Sequence, residues 1–334
     1  MLWLKTCIRI LLTLSSLLLL SGCWDEVQVG EVNYVTTLGI DYEDDQYIIY
    51  AQVLDFSSVA KMEFGKIVEP APLYIGKGTG NTMNDAIYDL YRTIQQKTNW
   101  AHVGAIIYSE SLLEIGTQNV EESLLKSGEF RYTPWMFGTN ESLESMLSIT
   151  GFYQLPPIYT ILYKPKDSFE MYSYIEPLQF HRFNALNKEP GGTALLPSLM
   201  IDKTDWMKSK QQPEPKQTLK VDGVYPVSDG KYSEWVSYDE MIGYRWIDSN
   251  TLYSPINISL PGGKKAAVRI TSPSSSIQVN RSGGQFTFDI SVKAKGTLID
   301  SSDNLTAKEI EALVKEKMKA ELRETYEAGL KKRN

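Results

Sequence analysis

An apolar run that ends on a lone cysteine constrains this chain more than any other feature. In LLLLSGCWDE, Leu17 to Glu26, the thiol of Cys23 stands where a Leu-rich stretch gives way to acidic and aromatic sequence. Lys5 and Arg9 supply a positive start, the apolar stretch runs from Ile8 to Leu20, and Ser21-Gly22 are small enough for a peptidase to accept. That is the layout of a secretory signal over residues 1–22. That stretch is 13 residues long, short of the ~20 that a free-standing membrane helix needs.

Leu20-Ser21-Gly22-Cys23 is similar to a bacterial lipobox. The likeness implies a diacylglycerol group on the Cys23 thiol and a cleavage that leaves Cys23 as the first residue. Cys7 departs with the signal, so the remaining 312 residues have no other thiol and no disulfide. Stability must come from packing, and the length suffices for two or three domains with their own cores. Loss of Lys5 and Arg9 takes the formal charge from −7 to −9. Such a chain is a poor partner for nucleic acid, whose phosphates require clustered Lys and Arg.

Scarcity also limits the chemistry. The two histidines, His102 and His181, have no cysteine beside them, so zinc ligands of the usual His/Cys kind cannot be assembled. His102, in WAHVGAIIY, reads as a hydrogen-bonded structural imidazole, and His181, in QFHRFN, as surface or interdomain. Counting alone leaves a Ser-His-acid triad open, but no G-x-S-x-G elbow supports one. The expectation is a protein that is not an enzyme, with no catalytic residue, cofactor or metal site. GKGTGN, Gly76 to Asn81, fits neither dinucleotide nor P-loop spacing. It reads as a turn leading into a helix capped by Thr82 and Asp85. DYEDD, Asp41 to Asp45, lacks the glycine and terminal acid of a calcium loop and reads as a solvated turn.

The periods of the chain give a coarse map. NYVTTLGID and QYIIYAQVLDF, joined by YEDD, read as a hairpin. Met83, Ala86, Ile87, Leu90 and Ile94 make a helical stripe over 82–97, and HVGAIIYS follows as a buried strand. Short helices are expected at 119–127 and 141–149 around the strand RYTPWMFGT, with TALLPSLMI ending this half. WMKSKQQPEPKQ, Trp206 to Gln217, is polar, with two prolines and no period, and marks a linker or loop over 206–217. That makes 23–205 an N-terminal α/β region with room for two subdomains, and 218–334 a C-terminal α+β region. The latter holds the helix-like YDEMIGYRWI and a hairpin with Phe286, Phe288, Ile290, Val292 and Ala294 on one face. It closes with a helix capped by Thr306 and Glu309, whose stripe is Ile310, Leu313, Val314, Met318, Leu322 and Tyr326. The fold class is α+β, a mixed α/β multi-domain chain with β-sheets packed against helices.

GCWDEVQVGEV followed by TLGIDYEDDQYIIYAQV resembles the N-terminal signature of the Ger(x)C family, the lipoprotein C subunits of spore germinant receptors. The likeness continues through GTGNTMNDAIYDLYRTIQQKTNWAHVGAIIYSESL and KVDGVYPVSDGKYSEWVSYDEMIGYRW into the capped helix. It implies a Ger(x)C-like fold and a non-catalytic subunit needed for nutrient-triggered spore germination, anchored by Cys23 to the outer face of the cytoplasmic (spore inner) membrane. Its implied partners are the integral-membrane A and B subunits of the receptor. Members of the family continue with further strand and helix beyond the point where this chain stops, so a C-terminally shortened member with an uncovered sheet edge is expected. The rival classes are a solute-binding lipoprotein of an ABC transporter, which should show two similar lobes, and a cell-wall hydrolase. No internal repeat supports the first of these.

Overall fold

The computed structural model describes residues 2–18, 31–55, 72–209, 213–259, 263, 265–282, 285–301 and 305–332. Cys23, the expected lipidation site, and Trp24 lie outside the described residues. Leu2–Leu18 form helix α1, and no helix among the described residues is long and apolar enough to cross a membrane.

The expected hairpin is present: β1 (Val32–Glu43) pairs with β2 (Gln46–Leu54). The chain reverses through Asp44 and Asp45, both at positive φ, a conformation Asp tolerates better than most residues. Strand β3 (Leu73–Gly80) adds antiparallel to β2. On the other flank of β1 lie β4 (Ala105–Ser109), β5 (Trp135–Thr139) and β6 (Ala194–Asp202), each parallel to its neighbour. Strand β7 (Thr218–Ser228) then runs antiparallel to β6. Parallel neighbours require long crossovers, and the helices lie in these connections. They are α2 (Met83–Tyr91), α3 (Glu110–Ile115), α4 (Gln118–Ser127), α5 (Leu143–Leu147), α6 (Pro165–Met171) and α7 (Phe180–Lys188).

All five residues of β4 are buried, as expected of a parallel strand covered on both faces. Ile106 and Tyr108 enter one core with Leu38, Leu112 and Phe183, while Ala105 and Ile107 enter another with Phe137, Leu143 and Leu199. A strand read as one apolar run therefore serves two cores at alternate positions.

Helix α2 begins at the expected capping box, with Thr82 and Asp85 each bonding the other's backbone. It ends at Tyr91 rather than near 97. Thr93 Oγ1 donates to Leu90 O at 3.0 Å, and Lys97–Asn99 are drawn into parallel pairing with the start of β1. The glycines of GKGTGN are not in a turn. Gly76, Gly78 and Gly80 occupy alternate positions of β3, and a Cβ on any of them would lie under 3.0 Å from Leu90, Ala86 or Asp85 of α2. Close approach of the helix needs a strand face without side chains.

The 206–217 segment joins two paired strands of one sheet, β6 and β7, through a two-stranded ribbon of Met207–Lys208 and Glu214–Pro215. The first sheet thus extends into the region that begins at 218. A second sheet follows, with β8 (Tyr253–Ser259), β9 (Lys265–Ser282) and β10 (Gln285–Ser301) in antiparallel order. Helix α8 (Ala307–Lys331), with the expected Thr306–Glu309 capping box, packs on it through Ile310 and Met318 against Trp246, Ile256, Val268 and Ile270. Leu313, Val314 and Leu322 join at the margin, whereas Tyr326 is exposed. On the expected apolar face of β10, Val292 reaches this core and Phe286, Phe288 and Ile290 are exposed. YDEMIGYRWI forms turns and a short 3-10 helix, Tyr244–Trp246, rather than a longer helix. Its Gly243 lies so close to Glu321 and Leu322 of α8 that a Cβ would come under 3.0 Å from their backbone.

Candidate functional site

Each histidine has a polar contact of its own. His102 is exposed, its ring edge-on to Tyr34 at 4.8 Å and its Nδ1 3.4 Å from Asn99 Oδ1. Partial desolvation of the ring, with the Arg131 charge adding to it, lowers its imidazole from the ordinary value. His181 is exposed, with Nδ1 3.0 Å from the carbonyl of Tyr132. Among the described residues no group of three or more His, Cys, Asp or Glu is placed to hold a metal ion.

Two features that the sequence did not single out involve β7 or the segment that follows it. The first is a buried polar knot. Arg245 Nη2 donates to Glu321 Oε2 at 2.9 Å, and the Trp246 indole donates to the same oxygen at 2.8 Å. Arg245 Nη1 reaches Ser254 Oγ at 2.9 Å and the Pro255 carbonyl at 3.2 Å. At the end of α8, Lys332 Nζ donates to the Trp235 carbonyl at 2.6 Å and to Glu240 Oε2 at 3.1 Å. One helix is therefore fixed to the segment following β7 at two levels.

The second is a cavity of about 610 Å³ between α6 and β7, walled largely by aromatic and aliphatic side chains. Pro165 starts α6 at a position where its missing N–H costs nothing, and that helix contributes Ser168 and Phe169 to the wall. The Tyr174 ring stacks on that of Tyr238 with centroids 3.7 Å apart, and the Tyr238 hydroxyl hydrogen-bonds that of Tyr172. Burial pushes the phenols of Tyr174 and Tyr238 well up.

An acid enters this wall through an irregularity in the sheet. Val221 pairs with Leu199 and Gly223 with Ser198, the next residue along, so Asp222 is the extra residue of a β-bulge. A bulge breaks the alternation of a strand and re-aims a side chain, and here Val221 and Asp222 both line the cavity. The Asp222 carbonyl accepts from Tyr238 N at 2.7 Å, and its Oδ1 is buried without a hydrogen-bond partner. Burial raises the Asp222 carboxyl, the Glu141 charge adds to that, and the Ser198 hydroxyl acts against it. Lys220 lines the same wall, but its ammonium sits 3.3 Å from Asp205 Oδ2, both side chains being more than half exposed. The signal available in the sequence was the Asp-Gly pair inside KVDGVYPV, since glycine within a strand pattern marks a bulge.

Comparison with known proteins covers both halves of the chain. The family profile described as spore germination protein N-terminal domain matches residues 25–201, and that described as spore germination B3/GerAC-like, C-terminal, matches residues 223–334. The chain is similar to spore germination protein KC of Bacillus subtilis (strain 168), at 22% identity over 312 residues, covering 88% of this chain and 75% of that protein. It is also similar to spore germination protein A3 of the same organism, at 28% identity over 138 residues, 40% of this chain and 35% of that one. The crystal structure of the GerBC protein superimposes with a TM-score of 0.51 at 16% identity, covering 86% of this chain and 80% of that one. At that identity the likeness is one of fold, α+β and multi-domain.

Proposed function

The chain belongs to the Ger(x)C family of spore germination proteins, and from that premise we propose that it serves as the lipid-anchored C subunit of a nutrient germinant receptor. The observation that carries the reading is the match of both family profiles in order along one chain, 25–201 and then 223–334. In this reading the protein is an assembly and signalling subunit rather than a catalyst. Cys23 carries the lipid, and the protein works beside the integral-membrane A and B subunits at the outer face of the spore inner membrane. Confinement to one surface raises the effective concentration of membrane partners, so modest contacts suffice for assembly.

The test is genetic. Deleting the gene in a spore-former where it encodes the sole C subunit of its receptor should abolish germination in response to that receptor's nutrient and leave other nutrients effective. Restoring the gene, or a His102→Gln/His181→Gln version of it, should restore the response. Spores that germinate normally after the deletion would contradict the reading.

A further inference from the structure

We propose that the cavity between α6 and β7 binds a small apolar molecule carrying a protonated amine, with Asp222 as its counter-ion and the Tyr172, Tyr174 and Tyr238 rings as its walls. The cavity, at about 610 Å³, falls in the range of ~300–1,000 Å³ typical of small-molecule sites, which are apolar with a few convergent polar groups. Asp222 is such a group. It is delivered by a bulge that interrupts an otherwise regular strand pairing, and its Oδ1 is buried with no hydrogen-bond partner. A buried acceptor left unmade is costly, and of the buried polar atoms without a partner among the described residues, Asp222 Oδ1 and the Tyr174 hydroxyl are the two that belong to residues of this wall.

The aromatic wall favours the same ligand. Tyrosine faces attract a cation through the ring quadrupole, the more so when water is excluded, and the Tyr172–Tyr238 hydroxyl pair satisfies those two groups between themselves. An anionic ligand has a weaker claim, because Lys220 directs its ammonium to Asp205 at the exposed side. A wholly apolar occupant would leave Asp222 unsatisfied. This inference goes beyond the receptor-subunit reading and does not rest on it, since binding is measured on the protein alone.

The full-length protein in nanodiscs of zwitterionic lipid, with empty nanodiscs subtracted, is titrated calorimetrically with phenethylamine, 2-phenylethanol and phenylacetate. Phenethylamine should bind saturably at a single site. The alcohol should bind about 10- to 100-fold more weakly, as expected for loss of one charge-assisted hydrogen bond, and phenylacetate should not bind. Asp222→Asn should bring the amine down to the level of the alcohol. Equal binding of amine and alcohol, binding of phenylacetate, or no saturable binding of the amine would overturn the proposal. Should Asp222→Asn fail to fold by circular dichroism, Ser168→Trp fills the cavity from α6 without altering the carboxyl. Undiminished amine binding by that variant would overturn it equally.

Discussion

The guanidinium of Arg245 meets the carboxylate of Glu321 at 2.9 Å with each side chain only 3% exposed. These residues lie 76 positions apart in the chain, one on a 3-10 turn and the other in the middle of α8. Glu321 Oε2 also accepts the Trp246 indole N–H. Burying such a pair is weak evidence of net stabilisation, but removing one partner strands the other charge. Glu321→Ala should therefore destabilise the protein by about 3–5 kcal/mol, read as a fall in the denaturant midpoint. A double Arg245→Met/Glu321→Leu replacement should recover much of the loss. A Glu321→Ala protein as stable as the parent would show that the pair contributes nothing.

Burial, opposed by hydrogen bonding from Thr117 and Asn187 and by the Lys188 charge, raises the carboxyl of Glu121. Its Oε1 accepts from Thr117 Oγ1 at 2.6 Å and from Asn187 Nδ2 at 3.0 Å, while Lys188 Nζ stands 4.0 Å from Oε2. A carboxyl raised in the folded state holds its proton more tightly there than in the unfolded chain. The associated stability is then complete in acid and is lost as pH climbs from the ordinary glutamate value of 4.5 through the folded value. Unfolding midpoints measured at a series of pH values should fall over that window, and Glu121→Gln should flatten the slope. An identical slope in the variant would assign the dependence to other groups.

Glycine substitutions should separate close packing from helix propensity. A Cβ on Gly78 would come under 3.0 Å from the Ala86 carbonyl and the Leu90 amide of α2, which cannot move independently of their helix. Gly78→Ala should cost about 1–3 kcal/mol, the usual range for overpacking. Gly329 lies inside α8 with nothing within 4 Å of such a Cβ. There, Gly329→Ala should stabilise by roughly 0.5–1 kcal/mol through the helix propensity of alanine. Thermal melts of the two variants should move in opposite directions, and a common direction would defeat the argument.

What the sequence made legible was local. Strand periodicity around Asp44-Asp45 spelled the first hairpin, and the Thr306–Glu309 box with its apolar stripe spelled α8, because each signal lies within a few residues of the element it creates. The family resemblance was legible for a similar reason, in contiguous blocks such as GCWDE and KVDGVYPVSDGKY. What escaped depends on long-range neighbours. Gly76, Gly78 and Gly80 read as a turn until α2 is seen lying against them. Likewise, YDEMIGYRWI has a helical pattern, but Gly243 and Arg245 serve the approach of α8, whose contacting residues Glu321 and Leu322 come 76 and more positions later. Asp222 carried a hint in the following glycine, yet its place on a cavity wall depends on α6 and on Tyr238, which no spacing in the sequence announces.

The anchor is testable without reference to the rest of the fold. The proposed diacylglyceryl group on Cys23 would carry the attachment. Each buried CH₂ adds ~0.8 kcal/mol; one acyl chain gives marginal binding, and two give a stable anchor. A diacylglyceryl group on Cys23 meets that requirement. Cys23→Ala should shift the protein from the membrane fraction to a soluble or unprocessed form, measured by fractionation together with mass spectrometry of the N-terminus. Full membrane retention of a correctly cleaved, unlipidated variant would show that partner contacts hold the subunit at the surface instead.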